Sequence, residues 1–160
     1  MCAPSYAGYT DVGRERSSND DRWAADTARC LYIVADGVAT SNHGGLAAQL
    51  VIERLPTYIP SHLSGDDLSD SDAAALLGNA VVQLSDDLHA QARTDPQLAG
   101  AGTTIVAAVV TASCAVIAHL GDSRAYLYRD RQVQRLTRDH SLVQTLVDAG
   151  EITPAEAADH

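Results

Sequence analysis

The chain contains no lysine, and every basic side chain among its 160 residues is an arginine or a histidine. That absence removes whole reaction classes. A phosphate-binding loop of the Walker type needs a lysine against the phosphates, a kinase needs one too, and Schiff-base chemistry needs an amine nucleophile. Cysteine is scarce as well. Cys2, Cys30 and Cys114 are far apart and odd in number, with no CxxC pair for zinc and no even set for a disulfide framework, so each reads as a small apolar residue or a free thiol. A cysteine phosphatase places an arginine six residues after its nucleophile; here those positions hold Gly8, Asp36 and Leu120. No run of ~18 apolar residues offers a membrane span, and Met1 to Thr10 lacks the basic start and long apolar stretch of a secretory signal. Positive charge is in short supply, and the net charge of -10 repels nucleic acid and anionic lipid while suiting divalent cations. A soluble, cytoplasmic, monomeric protein is expected, with neither nucleic acid nor membrane as partner.

What is present suffices for one domain. With 46% apolar residues, a chain of this length buries about 68–70% of its unfolded surface if its strands close a core. Cys30 to Ala35 is short, apolar and rich in β-branched and aromatic residues, which predicts a buried strand delivering Asp36-Gly37 to its end. Leu46, Ala47, Leu50, Val51 and Leu55 recur at helical spacing until Pro56. The acidic stretch from Gly65 to Asp72 reads as a loop capping a longer helix marked by Leu76, Leu77, Ala80, Val81, Leu84 and Leu88. Asp66, Asp67, Asp70 and Asp72 lack the glycine that a calcium loop requires and read as a solvated helix start. Ile105 to Val110 and Cys114 to Leu120 form a predicted hairpin, followed by Ala125 to Tyr128 and a half-exposed strand with Val133 and Leu136, all in one antiparallel meander. Leu142, Val143, Leu146 and Val147 mark a short helix closed by Gly150, and Thr153-Pro-Ala-Glu156 is a capping box that announces another helix.

The chemistry should lie where strands stop. Arg16-Ser-Ser-Asn-Asp-Asp21 sets a guanidinium near adjacent carboxylates, Asp36-Gly37 ends the buried strand, and Gly121-Asp-Ser-Arg124 repeats the theme at a turn. Hard oxygen ligands without paired histidine or cysteine favour magnesium or manganese over zinc. His119, inside an apolar strand, reads as a satisfied histidine, Asp139 and His140 as ties for the turn before the helix, and Arg124 as a structural partner for a carboxylate.

Taken in order, Gly13 through Asp21, Val34-Ala-Asp-Gly37, Gly102-Thr-Thr104, Gly121-Asp-Ser-Arg124 and Leu136-Thr-Arg-Asp-His-Ser141 resemble the motifs of the PP2C (PPM) family of metal-dependent serine/threonine protein phosphatases. Gly150 to Glu156 resembles the family's continuation. The resemblance implies an α+β fold, an antiparallel β-sandwich flanked by helices and incomplete at the C-terminus, with residues 1–160 forming the N-terminal part of a single phosphatase domain. It implies that Asp21, Asp36 and the Gly37 carbonyl hold two Mg²⁺ or Mn²⁺ ions, that Asp122 helps hold a weaker third, that Arg16 grips the substrate phosphate, and that Asp20 orders water. The substrate class would be phosphoserine or phosphothreonine on proteins.

Two departures stand beside the resemblance. After Asp36-Gly37 the chain reads Val38-Ala-Thr-Ser-Asn-His43 where bacterial members usually carry a Met-Gly-Gly-His type of sequence, which leaves His43 as a candidate general acid in an exposed loop. The family's later carboxylates lie beyond His160. The expectation is therefore that this chain alone turns over weakly or not at all, and the alternative is a non-catalytic binding module.

Overall fold

A computed structural model describes residues 4–39, 44–60 and 69–159. The central element is a five-stranded antiparallel sheet in the order β1(Asp21–Asp26), β2(Leu31–Ala39), β4(Ile105–Val110), β5(Ala115–Leu120), with the short β3(Ala101–Thr103) pairing the distal end of β2. Strand β2 alternates buried and exposed residues along its described length, as a strand covered on one face must. Leu31, Ile33 and Ala35, with Ile105, Ala107 and Val109 of β4, point to one side and are almost fully buried.

That side is closed by α1(Gly44–Arg54) and α2(Asp70–Ala92). Their apolar stripes, Ala48 and Val51 on α1 and Leu77, Ala80, Val81 and Leu84 on α2, complete one core with Leu55 and Ile59 of the 3₁₀ turn after α1. Pro56 sits at the start of that turn, where its missing N–H costs nothing. Ser69 caps α2 by accepting from the Asp72 amide, and Asp70 is tied to Ser113 and Thr111 of the β4–β5 turn. Asp70 and Asp72 therefore belong to a helix start, as expected; Asp66 and Asp67 lie outside the described residues.

The opposite face of the sheet has no second layer among the described residues. Trp23 is 37% and Val34 51% exposed there, beside Tyr32, Val106 and Ala108. Residues 4–12, which form neither helix nor strand, lie across part of this face. Tyr6 meets Tyr32 at 5.3 Å between ring centres, and Gly8 lies so close to the Trp23 indole that a Cβ would stand 2.4 Å from it. Between this segment and the sheet is a cleft of about 590 Å³.

The α+β class and the antiparallel pairing are as expected. The single meander is not: β6(Tyr126–Arg129) and β7(Gln132–Arg135) form a separate two-stranded ribbon. Gly121, at φ +98°, turns the chain away from β5 before the ribbon begins, and β7 is exposed along its whole length rather than half-covered. Asp130 and Arg131 make the tight turn of the ribbon with positive φ at both positions. Then α3(Leu142–Asp148) is capped by Ser141 and closed by Gly150 at φ +73°. The capping box is formed, with Thr153 N donating to Glu156 Oε2 at 2.7 Å and Glu156 N to Thr153 Oγ1 at 3.2 Å, ahead of a 3₁₀ turn at Glu156–Asp159. No helix among the described residues is long and apolar enough to cross a membrane.

Candidate metal and phosphate site

Strand register brings the two principal carboxylates together. In the β1–β2 ladder Asp21 stands directly opposite Asp36, fifteen positions away in sequence, at the open end of the hairpin. The adjacent Gly37 N–H donates to the Asp20 carbonyl at 3.3 Å, so Asp20 and Gly37 form the hydrogen-bonded pair and Asp21 and Asp36 the non-bonded one. Pairs of the second kind hold their side chains closer, with Cα atoms ~4.5 Å apart. The Asp21 carboxyl lies within hydrogen-bonding reach of Asp36. Burial, then this hydrogen bond and the Asp21 charge, push the Asp36 carboxyl above the ordinary aspartate range; Arg16 pulls it down and Asp122 adds to the rise. Two like charges ~4 Å apart repel by about 4 kcal/mol at an effective dielectric of ~20. A proton or a cation must offset most of that.

Around the pair lies a polar cleft of about 280 Å³ lined by Asp11, Arg16, Ser18, Asn19, Asp20, Asp21 and Asp36. Arg16 reaches it from the exposed loop before β1. Asp20 also lines it, and its Oδ1 would stand 3.0 Å from a Cβ on Gly45, at the start of α1. Gly37 is a close-approach glycine, since a Cβ there would fall 2.2 Å from the Gly44 carbonyl oxygen and 2.8 Å from that of Asp20. Asp122 lies on the Gly121 turn and lines a different cleft, with Arg124, Arg135 and Asp139, yet its charge is felt at Asp36. Among the described residues no three His, Cys, Asp or Glu side chains converge closely enough to hold an ion by themselves. The donor set is thus a facing pair of hard carboxylate oxygens, apt for Mg²⁺ or Mn²⁺ but short of a full shell. His43, the candidate general acid, lies outside the described residues.

A family model described as protein phosphatase 2C matches residues 12–152. The chain belongs to that family. The serine/threonine protein phosphatase PstP of Mycobacterium tuberculosis is 39% identical over 155 residues, covering 97% of this chain and 29% of PstP. The serine/threonine phosphatase Stp of Listeria monocytogenes is 32% identical over 154 residues, covering 94% of this chain and 60% of its own length. A crystal structure of the Mycobacterium tuberculosis phosphatase PstP/Ppp superposes with a TM-score of 0.81 at 38% identity over 98% of this chain and 63% of that one. A second structure, of the PstP catalytic domain in complex with two manganese ions, gives 0.77 at 38% identity over 96% and 63%. This chain therefore spans under two thirds of each of these relatives.

Protein phosphatase 2C motifs account for other placements too. Arg124 donates from Nε and Nη2 to Asp139, with Nη2–Oδ2 at 2.5 Å, and Arg135 approaches the same carboxylate at 3.6 Å. The Arg124 hydrogen bonds, against the cost of burial, hold Asp139 below the ordinary aspartate range. Arg124 is thus a structural partner for a carboxylate, as expected. His119 bonds the Arg138 carbonyl through Nε2 at 2.7 Å and stacks on His140 at 4.6 Å, while His140 Nδ1 accepts from Gly121 N. His119 is satisfied and His140 ties the turn, as expected.

Sequence reasoning missed the supports. Arg22 Nη1 donates to the carbonyls of Asn19 and Asp21 at 2.7 and 2.8 Å, and its Nε to Gln49 on α1 at 3.0 Å. Asn19 Oδ1 accepts from Asp21 N, and its Nδ2 donates to Thr10. These bonds lock the acidic loop against strand and helix. No sequence pattern marked them: Arg22 lies in a strand whose residues are all half-buried or exposed.

Proposed function

We propose that this chain is the N-terminal part of a single cytoplasmic phosphatase domain that removes phosphate from serine or threonine residues of proteins, using Mg²⁺ or Mn²⁺ at the Asp21–Asp36 pair. The observation that carries the reading is the register: two carboxylates opposite one another, one of them pushed up by burial and then by the other, in a cleft that also holds Arg16. Support comes from the manganese-bound PstP relative, and the unpaired thiols Cys30 and Cys114 suit a reducing compartment.

In this reading Asp21 and Asp36 hold the ions, Gly37 offers its carbonyl, and Asp122 helps hold a third ion. Divalent ions held there would lower the pKa of water and neutralise charge developing on the phosphoryl group. Arg16 presents a planar fork of donors to a phosphate oxygen. Asp20 accepts from water in the same cleft and orients it. No side chain needs to be phosphorylated.

Two carboxylates make a weak site, because affinity for hard cations follows ligand charge and count. The chain alone should therefore dephosphorylate a phosphothreonine peptide far below the ~1–10 per second typical of enzymes, and only with Mn²⁺. Residual turnover abolished by Asp36→Asn supports the phosphatase reading. The second reading, a non-catalytic module, is favoured by the same shortage of ligands; phosphopeptide binding without turnover, indifferent to Asp36→Asn, would establish it.

A further inference from the structure

The hydroxyl of Thr104 sits where the sheet is broken, and it touches both acidic segments. The registers Val34↔Val106 and Gly37↔Thr103 are one and the same, which sets Asp36 opposite Thr104. Thr104 N donates to the Asp36 carbonyl at 2.9 Å, as a ladder requires. The return bond is different: Asp36 N donates to Thr104 Oγ1 at 3.1 Å instead of to a backbone carbonyl. The displaced Thr104 carbonyl accepts from Thr103 Oγ1, which also reaches the Asp36 carbonyl, both at 3.0 Å. This substitution interrupts the ladder between β3 and β4.

On its far side Thr104 Oγ1 shares a 2.6 Å hydrogen bond with Ser123 Oγ, one residue past Asp122. The Thr104 methyl meets the Gly121 backbone so closely that a Cβ on Gly121 would stand 2.7 Å from it. Thr104 is buried, at 7% exposure. One side chain therefore bonds the peptide of Asp36 and the turn that carries Asp122, although neither carboxylate is bonded to it.

We infer that Thr104, with Ser123, is a positioning residue that sets the Asp36 carboxylate relative to Asp122 through the chain Asp36 N–H, Thr104 hydroxyl, Ser123 hydroxyl. The inference rests on the reading of those two aspartates as metal ligands. A valine at 104 keeps the branched shape and deletes the hydroxyl, so Asp36 N–H loses its acceptor and the peptide that carries the carboxylate is released from the Gly121 turn. A serine keeps the hydroxyl and the link.

The test is Mn²⁺ titration by calorimetry on the whole chain, beside amide hydrogen exchange at Asp36 and Gly121–Ser123. Thr104→Val should weaken Mn²⁺ by about 10–100-fold, the usual effect of losing a support behind a metal ligand, and should speed exchange at both segments. Thr104→Ser should restore both, which a generic packing defect would not allow, because serine removes more bulk than valine. Ser123→Ala should shift both readouts in the same direction, and it carries the test if Thr104→Val does not fold. Wild-type Mn²⁺ affinity in Thr104→Val and Ser123→Ala, with affinity lost in Asp36→Asn, overturns the inference and leaves the metal reading standing. If wild type binds no Mn²⁺ the metal reading falls, and the inferred role in metal positioning falls with it; exchange then reports whether the structural link itself exists.

Discussion

Asp36 is a carboxyl held in an unfavourable place, and the cost has a sign. A carboxyl raised above its unfolded value stabilises the fold fully only below the ordinary aspartate value of 3.8, and that contribution is lost as pH rises through the elevated folded value. Without metal at pH 7, Asp36→Asn should therefore melt higher than wild type, by an amount that solvent screening in the open cleft holds below about 1 kcal/mol. The gap should close below pH 4, as thermal unfolding across pH will show. Asp139 behaves oppositely. Its lowered value means stability present above 3.8 and lost as pH falls through the folded value. Asp139→Asn should cost about 1–2 kcal/mol at pH 7, a figure discounted for the half-exposed Arg124, and nothing in strong acid. The carboxylates themselves were legible in the sequence because strand ends and Asp-Gly turns mark them. The role of Thr104 was not, since it depends on which hydrogen bond a ladder gives up.

At the scale of elements, two glycines govern how the site is assembled. Gly37 lets β2 pass against the start of α1, where the obstructing atoms, the Gly44 carbonyl and the Asp20 carbonyl oxygen, are backbone and cannot rotate aside. Gly37→Ala should destabilise by more than about 2 kcal/mol in urea unfolding, as overpacking against rigid backbone does. Gly121→Ala adds a left-handed φ to a clash with Thr104 and should destabilise by a similar amount. Helices α1 and α2 and strands β2, β4 and β5 were readable because burial on one face stamps a period of 3.6 or 2 on the residues. Strand β1, Asp21–Asp26, was not: its ends are charged and every residue is half-buried or exposed, so no period shows. The β6–β7 ribbon was read as strands, but its departure from the meander follows from the Gly121 turn, which local pattern does not encode.

The whole molecule carries one asymmetry. Helices seal one side of the sheet, while Trp23 and Val34 leave an apolar patch on the other, an arrangement that invites association. Val34→Thr should change thermal stability by no more than about 0.5 kcal/mol while lowering the binding of a hydrophobic dye and the tendency to associate at high concentration. Trp23 is the sole tryptophan, so its quenching by acrylamide reports directly on that face and should fall between that of a buried and a free indole, because Gly8 packs against the ring. The charge of -10 keeps copies apart except where such a patch, or a cation, offsets it. The most direct measurement of the central claim is calorimetric titration of Mn²⁺ into the wild-type chain, Asp21→Asn and Asp36→Asn. Binding in the wild type that is weakened at least tenfold by either single substitution is the predicted result. Equal heats from all three proteins would mean that the two aspartates do not share an ion.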